Sequence, residues 1–155
     1  MKYHIISSDL WEDEKLRRVS VVATYLFFYL ISNLRCPPSG MYKLSKETLV
    51  FESRIKDQEI DGFIDELILG DLISVDPQKN AFWIKGKIKH HKPNHKDYAT
   101  LKSIKNDIDN FCGVSWYQDF LEKYPQFIDI AIELAEMKRI KYHPKALNDQ
   151  TPSVV

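Results

Sequence analysis

"DQEIDGFIDELILGDLISVDPQKNAFWIK", from Asp57 to Lys85, changes pattern twice. As far as Gly70 the apolar residues Ile60, Phe63, Ile64 and Leu67 recur at helical spacing. Asp57 and Glu59 stand where the positive end of a helix dipole favours carboxylates, and Gly70 supplies a stop. Two short runs follow, "LISVD" and "AFWIK", separated by "PQKN". Pro77 and Asn80 are turn residues, so these runs predict a β-hairpin that leaves the helix almost at once.

Upstream, "SSDLWEDEKLRR" sets Asp9 three residues before Glu12, a capping pair for a short helix through Arg18, with Trp11 as its anchor. Ser20 caps a second helix to about Ser32. Its run "VVATYLFFYLI" is apolar nearly all the way round, which places it at the centre of a bundle. The run falls short of the ~20 apolar residues that span a bilayer, so no membrane segment is expected. The surplus apolar surface of that helix, notably Phe27, Phe28 and Tyr29, is expected in the core, with a homodimer contact as the alternative that makes them candidate protein-contact residues. Pro37, Pro38 and Gly40 then force a loop, "MYKL" reads as a strand, and Ser45 caps "KETLVFE". The order is helix, helix, strand, helix, helix, strand, turn, strand. This is an α+β, mainly helical plan, a winged helix-turn-helix whose wing is "DPQKN".

Downstream, Tyr98, Leu101, Ile104 and Ile108 predict an amphipathic helix. Ser115 can cap "WYQDFLEKY", and after Pro125 "FIDIAIELAEMKRI" predicts one more helix. The expected organisation is a winged-helix domain with a basic arm over residues 1–96, a helical extension over 97–141 and a loose tail or linker over 142–155. The composition, 44% hydrophobic and 12% aromatic, suits a folded chain. Cys36 and Cys112 lack paired spacing, which predicts no disulfide framework and a reducing, cytoplasmic setting.

Net charge is zero but unevenly spread. Between Lys85 and Lys105 lysines exceed acids by six, whereas both flanks are mildly acidic. Lys79 in the wing, with Lys85, Lys87, Lys89, Lys92 and Lys96, is the candidate contact to a DNA backbone, giving affinity with little base discrimination. Arg54 and Lys56 are added, because they precede the helix that would approach the groove. That helix itself is the wrong sign. From Asp57 to Asp71 it carries six acids and no Lys or Arg, so phosphates repel it, and Asp61, Asp65 and Glu66 are assigned to solvent or to protein contact. Of Phe82 and Trp83, at least one must be core. His91 and His95 stand four apart, but Pro93 breaks the helix that would align them, and no metal site is predicted. No nucleophile motif, phosphate loop or paired-carboxylate site stands out, so no enzyme activity and no cofactor are expected.

The opening "ISSDLWEDEKLRRVSVVATYLFFYLISN", the strand "GMYKL", the helix "EIDGFIDELILGDLI" and the hairpin ending "AFWIKGKIKHH" together resemble the N-terminal winged-helix domains of phage and Firmicutes replication-initiation proteins, the DnaD-like and replisome-organiser group. "DIDNFCGVSWYQDFLEKYP" looks like the helical extension some members carry. The resemblance implies a non-enzymatic role in assembling a replication-initiation complex, with DNA and replication proteins such as a helicase or loader as partners. No counterpart of that group's second, C-terminal domain stands out after Gln126, so the chain is expected to be either the first domain of a longer protein or a shorter relative. A pure interaction or oligomerisation module is the alternative from another class. A sequence-specific transcriptional regulator fits the acidic helix less well.

Overall fold

A computed structural model describes residues 6–90 and 98–125. Its first helical segment is divided. A 3-10 turn, Ser8–Glu12, is capped by Ser7, and α1 (Glu14–Arg17) starts afresh from Asp13. Asp13 is extended, and its carboxylate accepts from the Lys15 backbone amide at 2.8 Å. A side chain that bonds its own backbone in this way competes with helix continuation, which is why the expected single helix breaks there. Ser20 caps α2 (Val21–Ser32) by accepting from the Ala23 amide. On α2 the buried positions Ala23, Leu26, Phe27, Leu30 and Ile31 follow the helical period, and the helix runs through the middle of the first core.

After the Pro37–Pro38 loop come β1 (Met41–Lys43) and α3 (Lys46–Ser53), which Ser45 caps. Arg54 ends α3 in the left-handed conformation at φ 61°. Next is α4 (Asp57–Leu69), with Ile60 and Leu67 fully buried. Gly70 follows at an ordinary φ of −72°; the left-handed turn out of the helix belongs to Asp71, φ 56°. The hairpin is β2 (Ile73–Asp76) and β3 (Ala81–Ile84). Asn80 takes φ 49° in its turn, a conformation asparagine tolerates better than most residues. The remaining helices are α5 (Lys87–His90), α6 (Tyr98–Asn110) and α7 (Tyr117–Lys123). Ser115 does not cap α7, whose N-cap is Trp116, with no side-chain cap bond. The Ser115 amide donates instead to Asp76 at 2.9 Å. The helix expected over "FIDIAIELAEMKRI" and the tail lie outside the described residues.

The fold is thus α+β and mainly helical, with a small antiparallel sheet in the order β1-β3-β2. Met41 faces Trp83 and Tyr42 faces Phe82 across one ladder; Val75 faces Phe82 and Ile73 faces Ile84 across the other. All four residues of β3 are buried. Side chains alternate across a strand, so Phe82 and Ile84 enter the core formed with α2 and α4, and Ala81 and Trp83 enter a second core formed with α6 and α7. Covering both faces of the central strand explains why "AFWI" carries no polar residue.

The second core is largely aromatic. Trp83 packs edge-on against Phe120, with ring centres 5.3 Å apart, and lies 5.9 Å from Trp116. Polar groups fix the same layer: the Trp116 indole donates to the Ala81 carbonyl at 3.3 Å, and Ser39 donates to Asp107 of α6 at 2.6 Å. Close backbone approach completes it. A Cβ on Gly40, which sits at φ 77°, would fall 2.6 Å from the Ile84 carbonyl oxygen. No helix among the described residues is long and apolar enough to cross a membrane.

Removing the Trp83 ring opens a cavity between sheet and helices that neither layer can close. Trp83→Ala is expected to cost about 3–5 kcal/mol in urea unfolding, whereas Trp11→Ala, at a site 64% exposed, shifts the midpoint little.

Candidate interaction surfaces

The basic candidates separate into three groups. Arg54 and Lys56 are exposed at the α3–α4 turn, and Lys79 is exposed on the hairpin turn, where its ammonium donates to the Gly113 carbonyl. Arg54 and Lys56 are open to an anion, whereas the Lys79 ammonium is already engaged by that carbonyl. Lys85 is also less open, because its ammonium pairs with Asp71 and lies 5.3 Å from the Trp83 ring centre. Asp71 also accepts from Lys15 at 2.5 Å. Burial opposes ionisation of Asp71, but the two ammonium groups outweigh it and hold the carboxyl down at about 2.

Lys87 is a correction. Expected on the surface of a basic arm, it is only 1% exposed, and its ammonium donates to the Ile31 carbonyl at 2.9 Å. Burial lowers its proton affinity, opposed by the nearby Cys36. The physical reason lies in the backbone: after the left-handed Gly86, α5 turns back over the end of α2 and offers Lys87 the otherwise unsatisfied carbonyl there. A side chain committed inward in this way contacts no phosphate. Lys92, Lys96, His91 and His95 lie outside the described residues, as does the side chain of Lys89. Among the described residues no group of three metal-ligating side chains comes together.

The candidate protein contacts on α2 fall on the core side of the two alternatives. Phe27 is 1% exposed and belongs to the core. Phe28 is half-buried with its ring 4.7 Å from that of Trp11, and Tyr29 donates to Glu52 at 2.6 Å. Glu52 also pairs with Arg35 at 2.9 Å, and Arg35 first, then Tyr29, hold its carboxyl at about 2. These residues tie α2 to α3. Exposed apolar residues lie elsewhere, among them Val21, Tyr25, Phe51 and Leu69. For α2 the phase of Ala23, Leu26 and Leu30 carries that information, since it turns Val21 and Tyr25 outward.

On α4 the acids divide in the same manner. Glu66 accepts from both the amide and the hydroxyl of Ser20, so it fastens the start of α2 to α4 and is not a free contact. Asp57, Glu59, Asp61 and Asp65 face solvent. Lys46 stands 3.3 Å from Asp57 and 2.7 Å from Asp61. Beside them opens a groove of about 450 Å³ between α3, α4 and the hairpin. Leu44, Leu49, Ile64, Val75 and Phe82 line it, with Asp61, Asp65 and Lys46 also along its walls. The sequence shows these acids but not the groove, which exists because the hairpin folds back beside α4.

A scan against models of known protein families, and comparisons with curated proteins and with solved structures, found no match.

The Asp71 bridge has a pH signature. Its folded value is depressed, so its contribution is complete above the ordinary carboxyl value of 3.8 and is lost as pH falls through about 2. Asp71→Asn keeps a residue that accepts the left-handed backbone and removes only the charge. In urea titrations the variant should be less stable than wild type at pH 7, and the gap should close between pH 4 and pH 2.

Proposed function

We propose that the protein is a non-catalytic, winged-helix module of the replication-initiation type, which contacts the DNA backbone through the lysines of the basic segment 89–96 and leaves α4 for protein contact. The observation that carries this reading is the conjunction of an element order, two helices, strand, two helices, hairpin, with a central strand β3 flanked by β1 and β2. A winged helix has that order. The opening sequence motifs support the replication assignment by resemblance, with a helicase or loader as the class of protein partner and the cytoplasm as the setting.

The chemistry of the surface decides how DNA would be engaged. In a winged helix α4 would be the helix presented to the major groove, but its exposed carboxylates repel phosphate. With Lys87 turned inward and Lys85 paired to Asp71, contact falls to Lys89, Lys92 and Lys96, helped by Arg54, Lys56 and Lys79. Such contact is strongly salt-dependent and nearly independent of sequence. The solvent-facing acids of α4 favour a second reading, a protein-interaction or oligomerisation module that does not touch DNA.

Fluorescence anisotropy of labelled duplex and single-stranded DNA separates the two. Wild type should bind with an affinity that falls steeply with salt, and Lys89→Glu/Lys92→Glu/Lys96→Glu should lose that binding, three phosphate contacts being worth a salt slope of roughly 3. Lys87 is left intact, because replacing a buried cation would confuse loss of binding with loss of fold. Absence of wild-type binding at low salt would contradict DNA contact and leave the interaction module.

A further inference from the structure

The groove between α3, α4 and the hairpin combines two properties that DNA cannot use together. Its wall is apolar, through Leu44, Leu49, Ile64, Val75 and Phe82, and Ile68 beside it remains 39% exposed. Its acids, Asp61 and Asp65, continue one turn back into Asp57 on the same face of α4, and among the described residues lining it Lys46 is the cation. A volume of about 450 Å³ lies within the ordinary range of binding clefts, roughly 300–1,000 Å³. An apolar trough with an acidic border selects an occupant with apolar anchors and positive charge.

This chain carries such a segment outside the described residues. "MKRIKYHPK", residues 137–145, has Lys138, Arg139, Lys141 and Lys145 and no acid, with Met137, Ile140 and Tyr142 interspersed. The described chain ends at Pro125, so twelve steps of backbone separate it from Met137. Those twelve steps rise about 18 Å as the helix expected over "FIDIAIELAEMKRI" and about 40 Å as fully extended chain. A domain of this size has a radius of gyration of only ~14 Å, so the segment can reach the groove of its own chain or that of a neighbouring copy.

We propose that this groove is the docking site for residues 137–145 of the chain, with Met137 and Ile140 entering the apolar trough and the lysines and arginine meeting Asp61 and Asp65. Occupied in this way, the face of α4 beside the hairpin is covered by the chain's own sequence, from the same copy or from a neighbouring one. The proposal does not depend on DNA binding or on a role in replication.

Zero-length carbodiimide coupling of the full chain, read by peptide mass spectrometry, tests it. The Lys46–Asp61 pair, 2.7 Å apart, is the internal positive control. Expected are amide links from Lys138 or Lys141 to Asp61 or Asp65. In a mixture of equal parts ¹⁵N-labelled and unlabelled protein, mixed-isotope links identify a second copy as the host and single-isotope links identify the same chain; either supports the proposal. Ile68→Ser keeps every reactive group and should reduce these links several-fold while leaving the control link unchanged. The proposal is overturned if the control forms and residues 137–145 give no link to α4, or if their links spread over unrelated carboxylates and ignore Ile68→Ser.

Discussion

The burial of β3 on both faces is the constraint on which the rest of the structure depends. A strand of four residues contributes few hydrogen bonds, and a three-stranded sheet with one wet face has little apolar area to hold it against chain entropy. Here Phe82 and Ile84 fill the core beneath α2 and α4, while Ala81 and Trp83 fill the core beneath α6 and α7. The sheet therefore joins two helical layers into one body. Asp76 makes the same connection with polar atoms, accepting from Gln78 and Lys79 in its own turn and from Ser115 in the loop before α7. The turn of the hairpin is set partly by a segment nearly forty residues downstream.

This arrangement governs which surfaces remain for partners. Once α6 and α7 cover the outer face of the sheet, the edge strands, the hairpin turn and the outer faces of α3 and α4 are what the hairpin side of the molecule presents. Inward-directed polar groups consume several charges that a sequence would leave on the surface. Lys87 satisfies the end of α2, Glu66 satisfies its start, and Asp71 holds two lysines. Each of these reduces the charge available to solvent, so the basic stretch and the acidic helix are both less charged on the outside than a count of residues implies.

Much of the architecture was legible in local chemistry. Ser20 and Ser45 cap the helices expected of them, "PQKN" makes the hairpin turn, and Leu101, Ile104 and Ile108 form the buried face of α6. Each rests on neighbours within one helical turn or one hairpin. What the sequence concealed depends on distant partners. Asp13 breaks the first helix through its own backbone, which a capping pair at Asp9 and Glu12 does not reveal. Lys87 sits in a run of lysines that reads as solvated, and only the Ile31 carbonyl, fifty-six residues away, shows otherwise. Phe27, Phe28 and Tyr29 stand together in sequence, yet the helix turns one into the core and ties another to Glu52. The groove beside α4 has no sequence signal of its own, because it is a space between three elements.

The central claim is that α6 and the sheet unfold as one unit. Native-state hydrogen exchange followed across increasing denaturant tests it most directly. The amides of Ile104 and Ile108 in α6 should exchange with the same free energy and the same denaturant dependence as those of Phe82 and Ile84 in β3, because opening either layer exposes Trp83 and its partners. If α6 exchanges through a low-energy opening insensitive to denaturant while β3 remains protected to the global limit, the helices after residue 97 are an accessory, and the two-faced burial of β3 does not organise the fold.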